Sequence, residues 1–300
     1  MISISDKERN RVLTELGRVY PERVAGLSDA RISRFEDGIS NFNFLVEPRD
    51  AEGFVFRLLG VGAEGMVDRT DERFNTLIAT RLGLTPDVLY FDEKTGVKMT
   101  RFIANAETLH NDSIKATENL EKIAALLRTL HSSHMRLRND FNPFKELIKY
   151  EGLLEKANGD MSAGYADVRD KVLGLEDELT SLGVDVVPCH CDALPENWIV
   201  DPNGRMYLLD WEYAGMNDPY WDIVAPFLEA SFAVEQERTL LSAYFDGSIP
   251  SVAERKVLIY KIMMDMIWSI WARIKELAGG DYREYGVMRL HRGIENIARL

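Results

Sequence analysis

The sequence changes in character near residue 103, and this change restricts the fold more than any other feature. Before it, "ARISRFED", "NFNFLVEP" and "GFVFRLL" read as strands, and "DVLYFDE" and "GVKMTRFI" read as a pair around a turn. After it, apolar residues recur at helical spacing over residues 112–131, 142–182, 219–232 and 252–277. We therefore predict an α+β fold with a small antiparallel-sheet lobe over residues 1–103 and a mainly helical lobe over residues 104–300.

Two helices are expected within the first lobe. Ser5 and Glu8 have the spacing of a capping box, and Val12 and Leu16 fall on one face of the helix that would follow. The second helix is predicted over residues 71–82, after the third strand.

Composition and charge exclude several classes of protein. The 300-residue chain is 46% hydrophobic, enough for a substantial core, and its net charge of -13 disfavours nucleic acid and anionic membranes. No apolar run is long enough for a membrane span, and "MISISDKERN" lacks the order of a signal peptide. Cys189 and Cys191 are too close in sequence for a disulfide scaffold. We expect a cytoplasmic enzyme with no membrane insertion, no nucleic-acid partner and a mild preference for cationic small molecules.

The helical half is interrupted once, by "VVPCHCDALPENWIVDPNGRMYLLDWEYAG", where two short strands are predicted around a loop. His190, Asp192 and Asn197 form H-x-D-x-x-x-x-N, and Asp210 follows Asn197 by 13 residues. An aspartate in such a loop can accept a proton from an attacking hydroxyl, and an amide and a carboxylate are hard oxygen ligands for magnesium. Each residue alone is consistent with a polar turn, but their joint spacing predicts a phosphotransferase.

A competing motif is G-x-G-x-x-G over residues 60–65, the fingerprint of a NAD-binding oxidoreductase. That fingerprint follows the first strand of a parallel βαβ unit, whereas here it follows strands that look hairpin-paired. The next acid at a strand end, Asp92, is 32 positions beyond Gly60, where the fingerprint requires about 20. We interpret the glycines as a strand-to-helix loop. The oxidoreductase, and a nucleotide-binding module without catalysis, remain alternatives from other classes.

These residues resemble the choline/ethanolamine kinase family, within the aminoglycoside-phosphotransferase branch of the protein-kinase-like fold, over nearly the whole chain. "HCDALPENWIV" resembles the family's catalytic loop, "LLDWEYAGMNDPYWDIV" its metal-binding segment, and "IWSIWARIKELAGGDYREY" the helix and turn that line its alcohol pocket. The resemblance implies a two-lobed, protein-kinase-like enzyme. It would transfer the γ-phosphoryl group of ATP to the hydroxyl of choline or ethanolamine, with Mg²⁺.

The resemblance also assigns roles. Asp192 matches the catalytic base, Asn197 and Asp210 the magnesium ligands, and Arg57 the cation on the phosphates, paired with Glu72. "DGISNFNFLV" resembles the phosphate-covering hairpin, and "TRFIANA" is expected to lie against the adenine. The cofactor-binding residues implied by these two segments are Gly38, Ser40, Asn41, Asn43, Arg101, Phe102 and Ile103.

Aromatic and acidic residues indicate the substrate. A quaternary ammonium is held by aromatic faces and nearby carboxylates, because it donates no ordinary hydrogen bonds. The residues implied for the alcohol pocket are Trp211, Glu229, Asp265, Trp268 and Tyr285, with Tyr213 and Tyr282 nearby. Trp271 is interpreted as helix core. Asp265 stands where the family has an aromatic residue, and a carboxylate there would suit a primary ammonium. A kinase for another cationic alcohol, such as thiamine or an aminoglycoside, remains open.

Structural roles are expected for two further residues of the interruption. His190 resembles the structural histidine of the loop rather than a proton acceptor. The triplet of Cys189, His190 and Cys191 is not interpreted as a zinc site, since three consecutive residues do not converge on one tetrahedral ion and no fourth ligand is present. Asp222 lies in the first turn of a predicted helix, and the resemblance implies that it supports the catalytic loop.

Overall fold

The computed structural model describes residues 1–21, 27, 29–35, 41–60 and 66–300. The expected phosphate contacts Gly38 and Ser40, and the fingerprint glycines Gly62 and Gly65, lie outside the described residues. The strands are β1 Ile2–Ser3, β2 Arg31–Arg34, β3 Asn41–Glu47, β4 Phe54–Leu59, β5 Val88–Phe91, β6 Lys98–Arg101, β7 Glu107–Thr108, β8 Val187–Cys189, β9 Trp198–Val200, β10 Met206–Leu208 and β11 Gly215–Asn217. The α-helices are α1 Asp6–Val19, α2 Arg69–Arg81, α3 Thr117–His131, α4 Pro143–Lys156, α5 Tyr165–Ser181, α6 Tyr220–Glu229, α7 Val234–Tyr244, α8 Ala253–Leu277 and α9 Arg283–Ile297.

The first lobe is a six-stranded sheet in the order β1-β2-β3-β4-β6-β5, and every pairing in it is antiparallel. The strands predicted for this half are confirmed. Helix α1 begins after Ser5, whose hydroxyl accepts a hydrogen bond from the Glu8 amide. Val12 and Leu16 on α1 pack with the sheet residues Phe44 and Phe56. Because β4 is hairpin-paired to β3, the fingerprint at Gly60 does not follow a parallel unit.

Helix α2 follows the sheet but packs with the other lobe. Asp68 caps it by accepting hydrogen bonds from the amides of Thr70 and Asp71. Its buried residues Ile78 and Ala79 belong to the core of the helical half rather than to the core under the sheet. Helix α2 therefore stands between the two lobes.

The second lobe is mainly helical, and it contains two helices that the sequence did not predict, α7 and α9. The helical pattern predicted over residues 142–182 corresponds to two helices, α4 and α5. The chain turns between them at Asn158 and Gly164, which both have positive φ (54° and 87°). Apolar periodicity does not report such a break, because both helices bury apolar faces in one core.

The interruption contains four short strands where two were predicted. Strand β8 pairs with β11, and β9 pairs with β10, both antiparallel. The loop between β8 and β9 carries Asp192, and the loop between β10 and β11 carries Asp210.

Helix α9 packs closely on α8 because two of its residues lack a side chain. A Cβ atom at Gly293 would lie 2.4 Å from Met266 Cε, and one at Gly286 would lie 2.9 Å from Ala272 Cβ. This approach places the C-terminal helix against the middle of α8. Across the described residues, none of the helices combines the length and the apolar character needed to cross a membrane.

Candidate active site

Asp222 on α6 holds the loop after β8. Its two carboxylate oxygens accept hydrogen bonds from the backbone amides of His190 (2.7 Å) and Cys191 (2.8 Å). His131 Nε2 lies 3.1 Å from the same carboxylate. Cys191 has φ of 64°, so the chain turns sharply just before Asp192. The contacts support the expected role of Asp222 as the residue that shapes this loop.

Both ring nitrogens of His190 form hydrogen bonds with the backbone. Its Nε2 lies 2.6 Å from the Leu209 carbonyl oxygen, and its Nδ1 lies 3.3 Å from the Asp192 amide, which donates to it. Burial lowers the pKa of His190 and so favours the neutral imidazole that this arrangement needs. Both ring nitrogens are therefore occupied by backbone contacts, as expected for a structural histidine.

His131, Cys189 and Asp222 approach one another closely enough to suggest a metal centre, with ligand atoms within 4.8 Å. All three are already engaged. Asp222 accepts two amide hydrogen bonds, and the Cys189 thiol donates to the Asn217 carbonyl oxygen. We interpret the group as structural support for the loop.

Asp192 and Asn197 lie at opposite ends of one turn. The Asn197 side-chain nitrogen donates to the backbone oxygen of Asp192 (2.8 Å) and lies 3.4 Å from its carboxylate. This leaves the amide oxygen of Asn197 as the atom suited to a metal ion. Burial and the charges of Glu212 and Asp210 raise the pKa of Asp192.

Asp210 lies at the entrance to the short 3-10 turn Trp211–Tyr213, and its φ is 54°. Its carboxylate lies 3.3 Å from Lys98 Nζ and 3.9 Å from Arg57 Nη1. Burial raises its pKa, but the two cations outweigh burial and the net pKa is lowered. Asp210 is thus an ionised carboxylate that faces cations of the other lobe.

Three polar residues form a row across the sheet. Asn43 on β3 is opposite Arg57 on β4, and Arg57 is opposite Lys98 on β6. Arg57 and Asn43 were predicted, but Lys98 was missed. It stands in an ordinary alternating strand in the sequence, and only the pairing of β4 with β6 reveals it as a second cation of this site.

Glu72 on α2 binds two guanidinium groups in the protein interior. Arg57 Nη1 lies 2.5 Å from Oε1 and Arg69 Nη1 lies 2.5 Å from Oε2. Burial alone would raise the pKa of Glu72, but the charges of Arg57 and Lys98 outweigh it and lower the pKa to about 2. The predicted pair of Arg57 and Glu72 is therefore present, with Arg69 as an unpredicted third member.

Glu212 connects the lobes at the same place. Its Oε2 accepts hydrogen bonds from Asn41 Nδ2 (3.1 Å) and Arg69 Nη1 (3.0 Å). Asn41 is the first residue of β3 and Arg69 is the first residue of α2. The Glu212 carboxylate of the helical lobe is therefore hydrogen-bonded to both the sheet and α2. Sequence reasoning did not identify Glu212, although its spacing of two from Asp210 was visible.

The predicted adenine connector follows β6. The Arg101 amide donates to the Asp87 carbonyl oxygen (2.8 Å), and the Phe102 amide donates to that of Gly53 (3.3 Å). Phe102 and Ile103 are partly buried, while the Arg101 side chain is exposed beside Asp87. Their contact with adenine remains a prediction.

An aromatic cluster lies beyond the 3-10 turn. Trp268 meets Tyr213, Tyr150 and Trp271 edge-on, with ring centroids 5.5, 6.3 and 6.4 Å apart. Trp271 also meets Tyr282 (5.0 Å) and Tyr285 (6.4 Å). We call these rings the aromatic cluster; its members are Tyr150, Tyr213, Trp268, Trp271, Tyr282 and Tyr285. Trp271, interpreted as helix core from the sequence, is part of it.

Trp211 is not part of the aromatic cluster, which corrects the sequence interpretation. Its side chain is fully buried, its Nε1 donates to the Leu208 carbonyl oxygen (2.9 Å), and its ring packs against His190 at 4.9 Å. The 3-10 turn directs Tyr213, two residues later, toward Trp268 instead.

Asp265 and Glu229 are both paired with arginine. Arg289 Nη1 lies 2.9 Å from Asp265 Oδ1, and Arg292 contacts both Asp265 oxygens at 2.7 and 2.9 Å. Glu229 pairs with Arg289 as well. Asp265 is fully buried, so the structure does not present it to an ammonium group, contrary to the expectation.

Most of the unpaired buried polar atoms belong to Arg57 and the residues around it or lie in or beside the aromatic cluster. Buried polar groups normally have hydrogen-bond partners, so exceptions indicate where a ligand binds. Within the described residues, six such side-chain atoms have none. Tyr220 Oη lies on α6 away from the aromatic cluster; the others are Asn41 Oδ1, Arg57 Nε, Tyr150 Oη, Trp271 Nε1 and Arg289 Nε.

Comparison with known proteins agrees with this architecture. The "Protein LicA" of Haemophilus influenzae is 31% identical over 263 residues, which cover 84% of this chain and 76% of that protein. The crystal structure of the choline kinase LicA from Streptococcus pneumoniae superposes with a TM-score of 0.86 at 36% identity, over 98% of this chain and 100% of that one. A structure of LicA in complex with AMP has a TM-score of 0.79 at 38% identity, over 93% and 96% of the two chains.

The antiparallel sheet packed with a helical lobe, with cations of the sheet facing Asp210 of that lobe, defines a phosphotransferase of the protein-kinase-like fold. A family model described as choline/ethanolamine kinase matches residues 32–265. The chain belongs to the choline/ethanolamine kinase family.

Proposed function

We propose that this protein is a choline kinase that uses Mg-ATP, and that it prefers choline to ethanolamine. The observation that carries the proposal is the position of the aromatic cluster. Tyr213 follows Asp210 by three residues and packs on Trp268, so the phosphate-facing turn and the aromatic cluster adjoin. The relatives named choline kinase support the substrate class.

The preference for choline follows from the charges around the aromatic cluster. A primary ammonium needs hydrogen-bond acceptors, whereas a quaternary ammonium is stabilised by aromatic faces, at about 0.5 to 2 kcal/mol per ring. Glu229 and Asp265, the two carboxylates expected in the alcohol pocket, are both paired with arginine. The pocket is thus rich in rings and poor in free acceptors.

Asp192 is proposed as the base that accepts the proton of the alcohol hydroxyl while the alcohol oxygen attacks the γ-phosphorus of ATP. The bond between that phosphorus and the bridging oxygen breaks, and ADP leaves. The buried position of Asp192 and its raised pKa support this role.

The residues present suit Mg²⁺ and ATP. Asn197 and Asp210 offer hard oxygen atoms, and Arg57 Nε is a buried donor without a partner among the described residues. When bound, Mg²⁺ neutralises charge on the phosphates. Arg57 and Lys98, now paired with Asp210, would then turn to phosphate oxygens, with Asn41 and Asn43 beside them.

A coupled assay of ADP release tests the function. The panel is choline, ethanolamine, thiamine and an aminoglycoside, each with Mg-ATP. We expect the highest kcat/KM for choline. A higher value for ethanolamine would overturn the preference, and activity with thiamine or the aminoglycoside alone would overturn the substrate class. Binding of NAD without ADP release would favour the alternative based on Gly60.

A further inference from the structure

Tyr150 on α4 carries a buried hydroxyl that the protein does not use. The residue is fully buried, and its ring meets the edge of Trp268 at 6.3 Å. Its Oη has no hydrogen-bond partner among the residues described. Leaving a buried hydroxyl unpaired costs about 1 to 3 kcal/mol, so a ligand that pairs with it would gain affinity.

The surroundings of Tyr150 belong to the proposed reaction centre. Burial, followed by the charges of Glu146, Asp192 and Glu212, raises the pKa of the Tyr150 hydroxyl. The group therefore stays protonated near neutral pH and can donate a hydrogen bond. The Tyr213 hydroxyl lies near enough to favour the ionised Tyr150 as a hydrogen-bonding neighbour, an effect smaller than that of burial, but the angles and distance do not complete a hydrogen bond to Tyr150 Oη.

We propose that the Tyr150 hydroxyl donates a hydrogen bond to the hydroxyl oxygen of the amino alcohol and so orients this oxygen for attack. The inference rests on the proposed function, in which Asp192 accepts the proton of the same hydroxyl. An alcohol oxygen has two lone pairs; one attacks phosphorus and the other accepts from Tyr150. Aromatic rings alone hold the ammonium end of the substrate, so a contact at the hydroxyl end fixes its direction in the pocket.

The variant Tyr150→Phe removes only the hydroxyl. We expect kcat/KM for choline to fall about tenfold, the effect of one hydrogen bond, with the KM for ATP unchanged. The melting temperature should stay equal or rise, because an unpaired buried hydroxyl is lost. Tyr220→Phe is the matched control. Tyr220 Oη is also buried without a partner among the described residues, and its ring packs on Phe245, so its kinetics should equal those of the wild type.

A binding measurement separates hydrogen bonding from packing. Propyltrimethylammonium has a methyl group where choline has its hydroxyl. Calorimetric titration should show that Tyr150→Phe lowers the affinity for choline about tenfold and leaves the affinity for propyltrimethylammonium unchanged. Equal weakening of both ligands, or equal kcat/KM for the variant and the wild type, would overturn the role of Tyr150. A wild-type protein that phosphorylates neither choline nor ethanolamine would instead overturn the proposed function.

Discussion

Arg57 of the sheet and Glu72 of helix α2 form a fully buried ion pair, with 2.5 Å between Nη1 and Oε1. The pair links strand β4, which carries Arg57, to the helix that packs with the other lobe. Because Arg69 and Lys98 also contact Glu72, one buried carboxylate is shared by three cations. Its ionisation therefore affects both stability and the position of Arg57.

We expect Glu72→Gln to reduce the dependence of stability on acid pH. The folded pKa of Glu72, about 2, is below its ordinary value of 4.5. Its contribution is therefore complete above pH 4.5 and is lost as pH falls toward 2. The difference in unfolding free energy between wild type and variant should shrink by about 3 kcal/mol over this range. Urea unfolding at several pH values measures it.

Glu118→Gln is the control for the acid experiment. Glu118 pairs with Lys122 at 2.5 Å, but its side chain is 78% exposed. Solvent screens such a pair, so we expect no measurable change in the urea midpoint. A stability difference for Glu72→Gln that stayed constant with pH would contradict the prediction.

Asp192→Asn should reduce turnover by a factor of about 10² to 10⁴, because an amide cannot accept the proton of the alcohol. Nucleotide affinity should be unchanged, since the base contacts the alcohol rather than ATP. Steady-state kinetics and calorimetric titration with Mg-ATP measure the two effects. Near-normal turnover would rule out Asp192 as the base.

Asp210→Ala should raise the Mg²⁺ concentration needed for half-maximal rate and weaken Mg-ATP binding, since it removes a proposed metal ligand. Titration of the residual rate with Mg²⁺ provides the measurement. Asp201→Ala is a suitable control, because Asp201 only accepts turn hydrogen bonds from Asn203 and Arg205. The same Mg²⁺ dependence in wild type and Asp210→Ala would exclude Asp210 as a ligand.

Trp268→Leu should lower the affinity for choline by up to roughly thirtyfold, because it removes one cation–π face worth about 0.5 to 2 kcal/mol. The KM for ATP should be unchanged. Phe232→Leu removes a buried ring that packs on Phe227 at 5.6 Å and serves as the control for lost packing. An altered KM for ATP with unchanged choline constants would place the alcohol pocket elsewhere.

Asp265→Asn should lower stability by about 3 to 5 kcal/mol, because it removes the buried carboxylate that Arg289 and Arg292 share and leaves Arg289 with Glu229 alone as its counter-charge. Choline and ethanolamine should be affected by the same factor. Thermal melting and kinetic constants for both alcohols provide the measurement. A loss confined to ethanolamine would restore the sequence-based expectation that Asp265 binds a primary ammonium.

Most strands of the sheet and most of the helices were predictable in chain order because local patterns determine them, although α7 and α9 were missed. Three such features depend only on residues close together in the sequence. They are the capping box at Ser5, the hairpin pairing of β3 with β4, and the loop motif of Asp192 and Asn197. Side-chain spacing of two or 3.6 residues reports such features directly. The same local spacing supported the distinction between the loop motif and the glycine fingerprint.

Long-range pairing was decided by the tertiary structure alone. Lys98 becomes a partner of Asp210 only when β6 pairs with β4, and Glu212 meets Arg69 across 143 residues of chain. The sequence could not show that Asp265 is sealed by arginines of α9 or that Trp211 faces His190 rather than the aromatic cluster. Periodicity records which face of an element is apolar, but ion pairs and ring contacts depend on how separate elements pack.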